Sequence, residues 1–171
     1  MGNDLPPNSS NPPGPRYEVR PSGISGHGGY ALDRFQPGER IAQYSGPRIS
    51  KEESTRRCAA GNAYIFTLDD TWDIDGATPE NAARYFNHSC DPNCRPDTRN
   101  EEIWIVARRE IQPGEEITFD YGYEMTDAGP VPCHCGAPNC YRFIVGAPYR
   151  WYPPGVEPGT ASRGGTGLPT P

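Results

Sequence analysis

Residues 87–94 read Asn-His-Ser-Cys-Asp-Pro-Asn-Cys, so a histidine, two thiols, a carboxylate and a serine fall within one short run. Four chemistries compete for it. His88 beside Cys90 could pair as base and thiol nucleophile. The same side chains could ligate a metal, and Cys90 and Cys94 could enter disulfides. Asn87-His88-Ser89, like Asn8-Ser9-Ser10, also fits the N-glycosylation sequon. A second run, Cys133-His134-Cys135-Gly136-Ala137-Pro138-Asn139-Cys140, spaces three cysteines as C-x-C-x4-C. Rich in Gly and Pro and poor in apolar side chains, it needs a staple to be ordered, and tetrahedral zinc bound by thiolates is the economical one. Three thiolates leave a structural zinc site one ligand short. His134, Cys58, Cys90 and Cys94 are the candidates for the fourth place, with His134 disfavoured because a ligand between two ligating neighbours strains the chelate.

These groups need a scaffold, and 171 residues suffice for one apolar core. Yet 34% of the chain is hydrophobic, and it carries 20 glycines and 21 prolines. That excess concentrates in residues 1–15 and 148–171, which hold few core-forming side chains and read as disordered tails. Between them lie short strands broken by turns. "YEVRPS", "GYALD", "RIAQYSG", "AYIFTL", "TWDID", "EIWIVA" and "EEITFDY" are alternating, β-branched or aromatic, and bounded by Gly, Pro or Asp. Two of them are entered through the same tetrapeptide, Gln36-Pro37-Gly38-Glu39 and Gln112-Pro113-Gly114-Glu115, the chemistry of a type II turn. Helix signals are few. Ser50-Lys51-Glu52-Glu53 is a capping box opening a short helix to about Ala60. Thr78-Pro79 is an N-cap with Pro at the first helical position, starting a turn or two through Tyr85. Helices this short cannot cover both faces of a parallel sheet, which excludes a doubly wound nucleotide-binding fold.

A net charge of −6 speaks against direct nucleic-acid binding, which needs clustered cations, and suits a basic partner better. No charged start followed by an apolar run opens the chain, and no stretch approaches the roughly 20 apolar residues that span a bilayer. The myristoylation pattern fails as well, because Pro6 stands where Ser or Thr is needed. The expectation is a soluble monomer that neither enters nor is anchored to a membrane. Without an export signal the sequons would not meet the glycosylation machinery, and the six cysteines read as thiols or metal ligands instead of disulfides.

Five segments, in order, resemble the SET family of S-adenosylmethionine-dependent protein lysine methyltransferases. Gly26-His27-Gly28-Gly29-Tyr30-Ala31 resembles the family's G-x-G cofactor loop, and Gln43-Tyr44-Ser45-Gly46 its Tyr-x-Gly segment. "NAARYFNHSCDPNC" resembles its asparagine-histidine signature, "ITFDYGYE" its tyrosine motif and "CHCGAPNCYRFI" its zinc-binding post-SET segment. The likeness runs from about Tyr17 to Val145. It implies a mostly β SET fold of several small β-sheets around a pseudoknot, with few short helices, in which the Asn-His-Ser-Cys segment passes under a loop formed by the tyrosine motif. It also implies a SET domain over 16–128 and a zinc-bound post-SET segment over 129–147.

The activity so implied is methyl transfer from S-adenosylmethionine to a lysine of a protein substrate, a basic one such as a histone. Tyr121 matches the catalytic tyrosine, and Tyr44 the tyrosine lining the lysine channel from the other side. Phe119 falls at the position where tyrosine restricts transfer to one methyl, so phenylalanine predicts di- or trimethylation. Gly26, His27 and Gly28 would approach the cofactor with their backbone, Asn87 and His88 would hold it, Tyr121 would adjoin it, and Tyr141 or Phe143 would cover its adenine. Zn2+ would be held by Cys133, Cys135 and Cys140, with Cys90 implied as the fourth ligand. Departures are Glu80-Asn81 where the family more often has Gly-Asn, Gln43 where it often has an acid, and a short insert between Ser50 and Ile74. The competing readings are a catalytically silent SET-like module that binds basic peptides and, ranked last, a thiol hydrolase using Cys90 with His88. A bacterial source would place the protein in the cytoplasm or among secreted effectors, a eukaryotic one in the nucleus.

Overall fold

The computed structural model describes residues 14–123 and 131–146. The expected tails therefore lie outside the described residues, apart from Gly14 and Pro15, and so does the expected boundary near 128. In chain order the first strands are β1 (Tyr17–Pro21), β2 (His27–Ala31), β3 (Arg40–Tyr44) and β4 (Arg48–Ser50). Helix α1 (Lys51–Ala59) follows, then β5 (Ile65–Thr67), β6 (Trp72–Asp75), a 3-10 turn (Ala82–Tyr85) and β7 (Asn87–His88). The rest are β8 (Cys94–Arg99), β9 (Glu102–Ala107), β10 (Glu116–Phe119), β11 (Val131–Pro132) and β12 (Phe143–Ile144). They form small sheets in the orders β1-β2-β10-β7, β3-β9-β8, β4-β6-β5 and β11-β12, which is the mostly β class expected. Among the described residues no helix is long and apolar enough to cross a membrane.

The seven strands read from alternation are all present, and of the unread ones β4, β7, β11 and β12 are too short to show a period. β8 carries Pro96 and three charged residues, yet Pro96 costs no ladder bond that matters because β8 is the edge of its sheet. It pairs with β9 through a two-residue turn in which Asn100 (φ 51°) and Glu101 (φ 62°) take the left-handed conformations of a type I′ hairpin. β7, β11 and β12 are two residues long and have no period to read. β9 is central, and its Ile103 and Ile105 are fully buried while Trp104 between them is half-exposed.

The repeated Gln-Pro-Gly-Glu tetrapeptide turns out to make twin turns side by side. In each, the Glu N–H donates to the Gln carbonyl at 3.1 Å, and Gly38 (φ 88°) and Gly114 (φ 86°) supply the positive φ of a type II turn. The residues before them, Phe35 and Ile111, form a two-way bridge at 3.0 Å each way and are both buried in the core.

Ser50 caps α1 by accepting the Glu53 N–H at 3.2 Å, but the Glu53 carboxylate turns to Arg57 and Arg56 instead of closing the box. The second helix starts later than the sequence suggests. Thr78-Pro79-Glu80-Asn81 is a β-turn closed by the Asn81 N–H on the Thr78 carbonyl (3.2 Å), and a single 3-10 turn follows at Ala82. Pro79 presets φ equally well for either structure, so the residue types alone do not separate them.

Candidate active site

The decisive local feature is a parallel pairing between two segments distant in sequence: β7 lies beside β10 with Thr118 opposite Asn87 and Phe119 opposite His88. The Ser89 N–H continues the ladder onto the Phe119 carbonyl at 3.2 Å. A pseudoknot at this point requires that adjacency. It brings the asparagine-histidine run and the tyrosine motif onto one wall of a cavity of about 640 Å³. Gly26, His27, Tyr44, Asn87, Phe119 and Tyr121 all line it. The rest of the lining, not singled out from the sequence, includes Tyr64, Ile65 and Phe66, Arg84 and Tyr85, and Val131 and Ile144 of the β11–β12 hairpin. Tyr64, Ile65, Phe66 and Val131 lie outside the five resembling segments, whereas Arg84, Tyr85 and Ile144 lie inside two of them without having been singled out.

The aromatic side of the cavity is continuous. The Tyr44 ring lies 5.0 Å from Phe66, Phe66 stacks on Phe119 at 5.7 Å, Phe119 meets Tyr121 at 5.0 Å, and Tyr121 meets Tyr123 at 5.5 Å. Both expected tyrosines give away their hydroxyl proton to backbone: Tyr121 to the Phe86 carbonyl at 3.0 Å, Tyr44 to the Tyr64 carbonyl at 2.9 Å. Their oxygen lone pairs are left to accept from a ligand. Burial above all, then neighbouring tyrosines, pushes both hydroxyls far above their usual pKa. Each is thus a neutral hydroxyl at ordinary pH. Tyr44 and Phe119 are also core residues, so packing and the site use the same side chains.

Asn87 works as a clamp. Its amide nitrogen lies 3.0 Å from the His27 carbonyl, 3.3 Å from the Ser25 carbonyl and 2.7 Å from Glu116 Oε1. The loop between β1 and β2 is thereby held against β7. Gly26 (φ 45°) opens on the cavity, whereas Gly28 lies outside the lining. A Cβ on Gly28 would sit 2.2 Å from Glu116 Oε1, so the missing side chain there makes room for the carboxylate that holds Asn87, Ser22 and Tyr30.

His88 is buried and faces away from the cavity lining. Its Nδ1 accepts the Tyr121 N–H at 3.2 Å, which leaves the proton on Nε2, 3.5 Å from Cys90 Sγ. Cys90 in turn joins the C-terminal thiols. The sulfurs of Cys90, Cys133, Cys135 and Cys140 all lie within 4.8 Å of one another, with Cys90 at 3.8 Å from Cys133 and 4.0 Å from Cys140. Of the competing fourth partners, His134 and Cys58 are exposed, and Cys94 is buried in the main core. Burial above all pushes the Cys90 thiol up to about 11, and its sulfur is taken up in the group of four thiols instead of facing the cavity. Burial also opposes ionisation of Cys135, but the N–H groups of Cys90 and Ala137 and the neighbouring thiols outweigh it and lower that pKa to about 7. Tyr141 packs on this cluster, and Phe143 is half-buried in β12; neither lines the cavity.

The SET-domain family profile matches residues 26–122. The chain belongs to the SET-domain family. The matched span includes the glycine loop, Tyr44, Asn87, His88, Phe119 and Tyr121 of this SET domain and ends before the three C-terminal cysteines. Among curated proteins it is similar to "Histone-lysine N-methyltransferase, H3 lysine-4 specific" of Saccharomyces cerevisiae, 37% identical over 135 residues, or 72% of this chain and 12% of that protein. It is similar to "Histone-lysine N-methyltransferase 2B" of Homo sapiens, 38% identical over 133 residues, 72% of this chain and 5% of that one. It is also 34% identical over 129 residues to "Histone-lysine N-methyltransferase ATXR7" of Arabidopsis thaliana, 70% of this chain and 9% of that one. The alignments thus span at most 12% of these relatives' own length.

Proposed function

We propose that this SET domain is an S-adenosylmethionine-dependent protein lysine N-methyltransferase acting on a basic protein substrate such as a histone. The observation that carries it is the pair of neutral tyrosine hydroxyls, Tyr44 buried and Tyr121 half-buried, both turned onto backbone carbonyls, in a cavity that the Asn87-clamped glycine loop also lines. The relatives named as histone-lysine methyltransferases support the same reading.

The residues fit the methyl donor. The cavity volume is within the range of small-molecule sites, the Gly26 backbone is open to it, and Arg84 on its wall has a buried Nε without a partner among the described residues. When bound, S-adenosylmethionine supplies a methyl group on a positive sulfur. The protein supplies a neutral acceptor and its alignment. A free lysine has a pKa of about 10.4, and an apolar aromatic channel disfavours its ammonium by desolvation. The Tyr121 oxygen, its own proton committed to Phe86, accepts an N–H from the incoming amine and so directs the nitrogen lone pair away from itself. Tyr44, Phe66 and Phe119 exclude water beside it. Phe119 offers no hydroxyl to hold a water there, which leaves space for an amine already methylated.

The four thiols fit zinc. Tetrahedral coordination at about 2.3 Å puts sulfurs about 3.8 Å apart, close to the 3.8 and 4.0 Å separations around Cys90. Zinc there would tie the Cys133–Cys140 segment to the strand that carries Asn87 and His88.

Labelled S-adenosylmethionine with a panel of histones and basic peptides tests the reading. The wild type is expected to label lysine, and Tyr121→Phe to lose about 100-fold in rate, as misplacement of a reacting group costs. No labelling of any lysine overturns the enzyme reading, and cofactor binding without transfer would point to a silent peptide-binding module instead.

A further inference from the structure

We infer that Asp75 is a positioning residue for the channel: through Asn62 it fixes Tyr64, and Tyr64 fixes the hydroxyl of Tyr44. The kinetic part of this inference rests on the methyltransferase reading.

Asp75 ends β6, the central strand of its sheet, and is 5% exposed. Its carboxylate is shared among three segments. Oδ2 accepts from Arg57 Nη1 of α1 at 2.5 Å, while Oδ1 accepts from Asn62 Nδ2 at 2.9 Å and from the Ala77 N–H at 3.0 Å. Asn62 passes the constraint on, because its Oδ1 accepts the Tyr64 N–H at 2.9 Å. The Tyr64 carbonyl then accepts two donors, the Gly76 N–H at 2.8 Å and the Tyr44 hydroxyl at 2.9 Å. Each link is a local hydrogen bond, and together they run from α1 to the channel wall.

The far side of Tyr44 is closed as well. A Cβ on Gly76 would lie 2.5 Å from the Tyr44 oxygen, so that backbone already touches the ring. Asn81, fully buried, holds Gly76 there by donating to its carbonyl at 3.0 Å. Tyr44 therefore stands between the Tyr64 carbonyl and the Gly76 backbone, and Asp75 anchors both, Gly76 as its chain neighbour. A buried apolar residue at 75 would leave three donors unsatisfied. Fold stability alone does not call for the Asn62 link, since Asn62 lies half-buried in a loop.

Asn62→Ala, Asp75→Asn and Tyr44→Phe, singly and as Asn62→Ala in the Tyr44→Phe background, test the relay. Asn62→Ala is expected to lower kcat about tenfold, less than the roughly 100-fold that a full ångström of misplacement costs, while KM for S-adenosylmethionine changes less than twofold. In the Tyr44→Phe background it is expected to lower kcat no further. An unchanged kcat, or a loss that simply adds to that of Tyr44→Phe, overturns the inference. NMR of ¹³C-labelled tyrosine rings provides an arm independent of activity. Asn62→Ala and Asp75→Asn should both shift Tyr44 and leave Tyr121 in place. Unmoved Tyr44 resonances, or equal shifts at both tyrosines, count against positioning. If the wild type transfers no methyl at all, the methyltransferase reading fails and the NMR arm alone decides the relay.

Discussion

Phe119 is 3% exposed, stacked on Phe66, tilted against Tyr121 and part of the cavity lining, so one added oxygen at its ring would enter a closely walled place beside the cavity. A buried hydroxyl needs a partner, and in a channel the partner at hand is water. Phe119→Tyr is therefore expected to shift product from di- and trimethyl-lysine to monomethyl-lysine, read by mass spectrometry of a methylated peptide, with the first methyl transfer little changed. Unaltered product states would remove Phe119 from the control of multiplicity. At this scale the sequence was informative where chemistry demands one residue type. Tyr44, Asn87, Phe119 and Tyr121 meet at the cavity as their motifs imply. It was silent on Tyr64, whose place depends on which segments pair, and it assigned no role to Arg84 within the asparagine-histidine segment. It also offered one reason for Gly28 where the structure supplies another, the Glu116 carboxylate.

α1 is the one α-helix among the described residues, and it docks almost without apolar burial: Ser54 is its buried residue. Lys51 reaches Asp73 at 2.5 Å and Ser54 bonds the same carboxylate, while Arg57 reaches Asp75. The capping box announced the helix because capping is local. Its docking could not be read, since Trp72-Asp73-Ile74-Asp75 looks like a strand with one polar, solvated face, whereas both aspartates are buried under the helix. Burial works against ionised Asp75, but Asn62, Arg57 and Ala77 outweigh it and hold its pKa below the usual carboxylate value. Its charge thus stabilises the fold at pH above the unfolded-chain value of about 4 and ceases to do so as pH falls through the lower folded value. Stability by urea denaturation is expected to fall below about pH 4, and Asp75→Asn to flatten that part of the curve while lowering stability at neutral pH. An identical acid profile in both proteins would refute the assignment to Asp75.

Two properties belong to the whole molecule. Lys51 is the single lysine in 171 residues, and its ammonium is engaged by Asp73 and by the Trp72 carbonyl at 3.3 Å. On the proposed methyltransferase reading, such a chain offers itself almost no acceptor. Incubated alone with labelled S-adenosylmethionine, it is expected to remain unlabelled by intact mass; a methylated Lys51 would contradict this. The second property is the division of the core. Fifteen buried residues from Ala31 to Phe119 pack as one cluster, whereas Cys90, Cys133 and Cys140 form a separate small one with few apolar neighbours. Removing the zinc proposed for the second cluster should therefore leave the first folded. What it should cost is the cavity wall made by Val131 and Ile144, because among the described strands β11 and β12 pair with each other and the thiols hold the segment between them. His88, whose Nε2 faces Cys90 and whose Nδ1 accepts from Tyr121, lies between the two sites, so the disturbance reaches the cofactor side as well. Chelation, or Cys90→Ser, is thus expected to release one zinc per chain and weaken S-adenosylmethionine binding at least about tenfold, with far-UV circular dichroism nearly unchanged. Cys94→Ser, in the main core away from the thiols, should keep its zinc and lose stability instead. Calorimetric titration of the cofactor into each protein decides it: tight binding by the zinc-free chain would separate the two sites, and global unfolding on chelation would mean that the metal holds up the core itself.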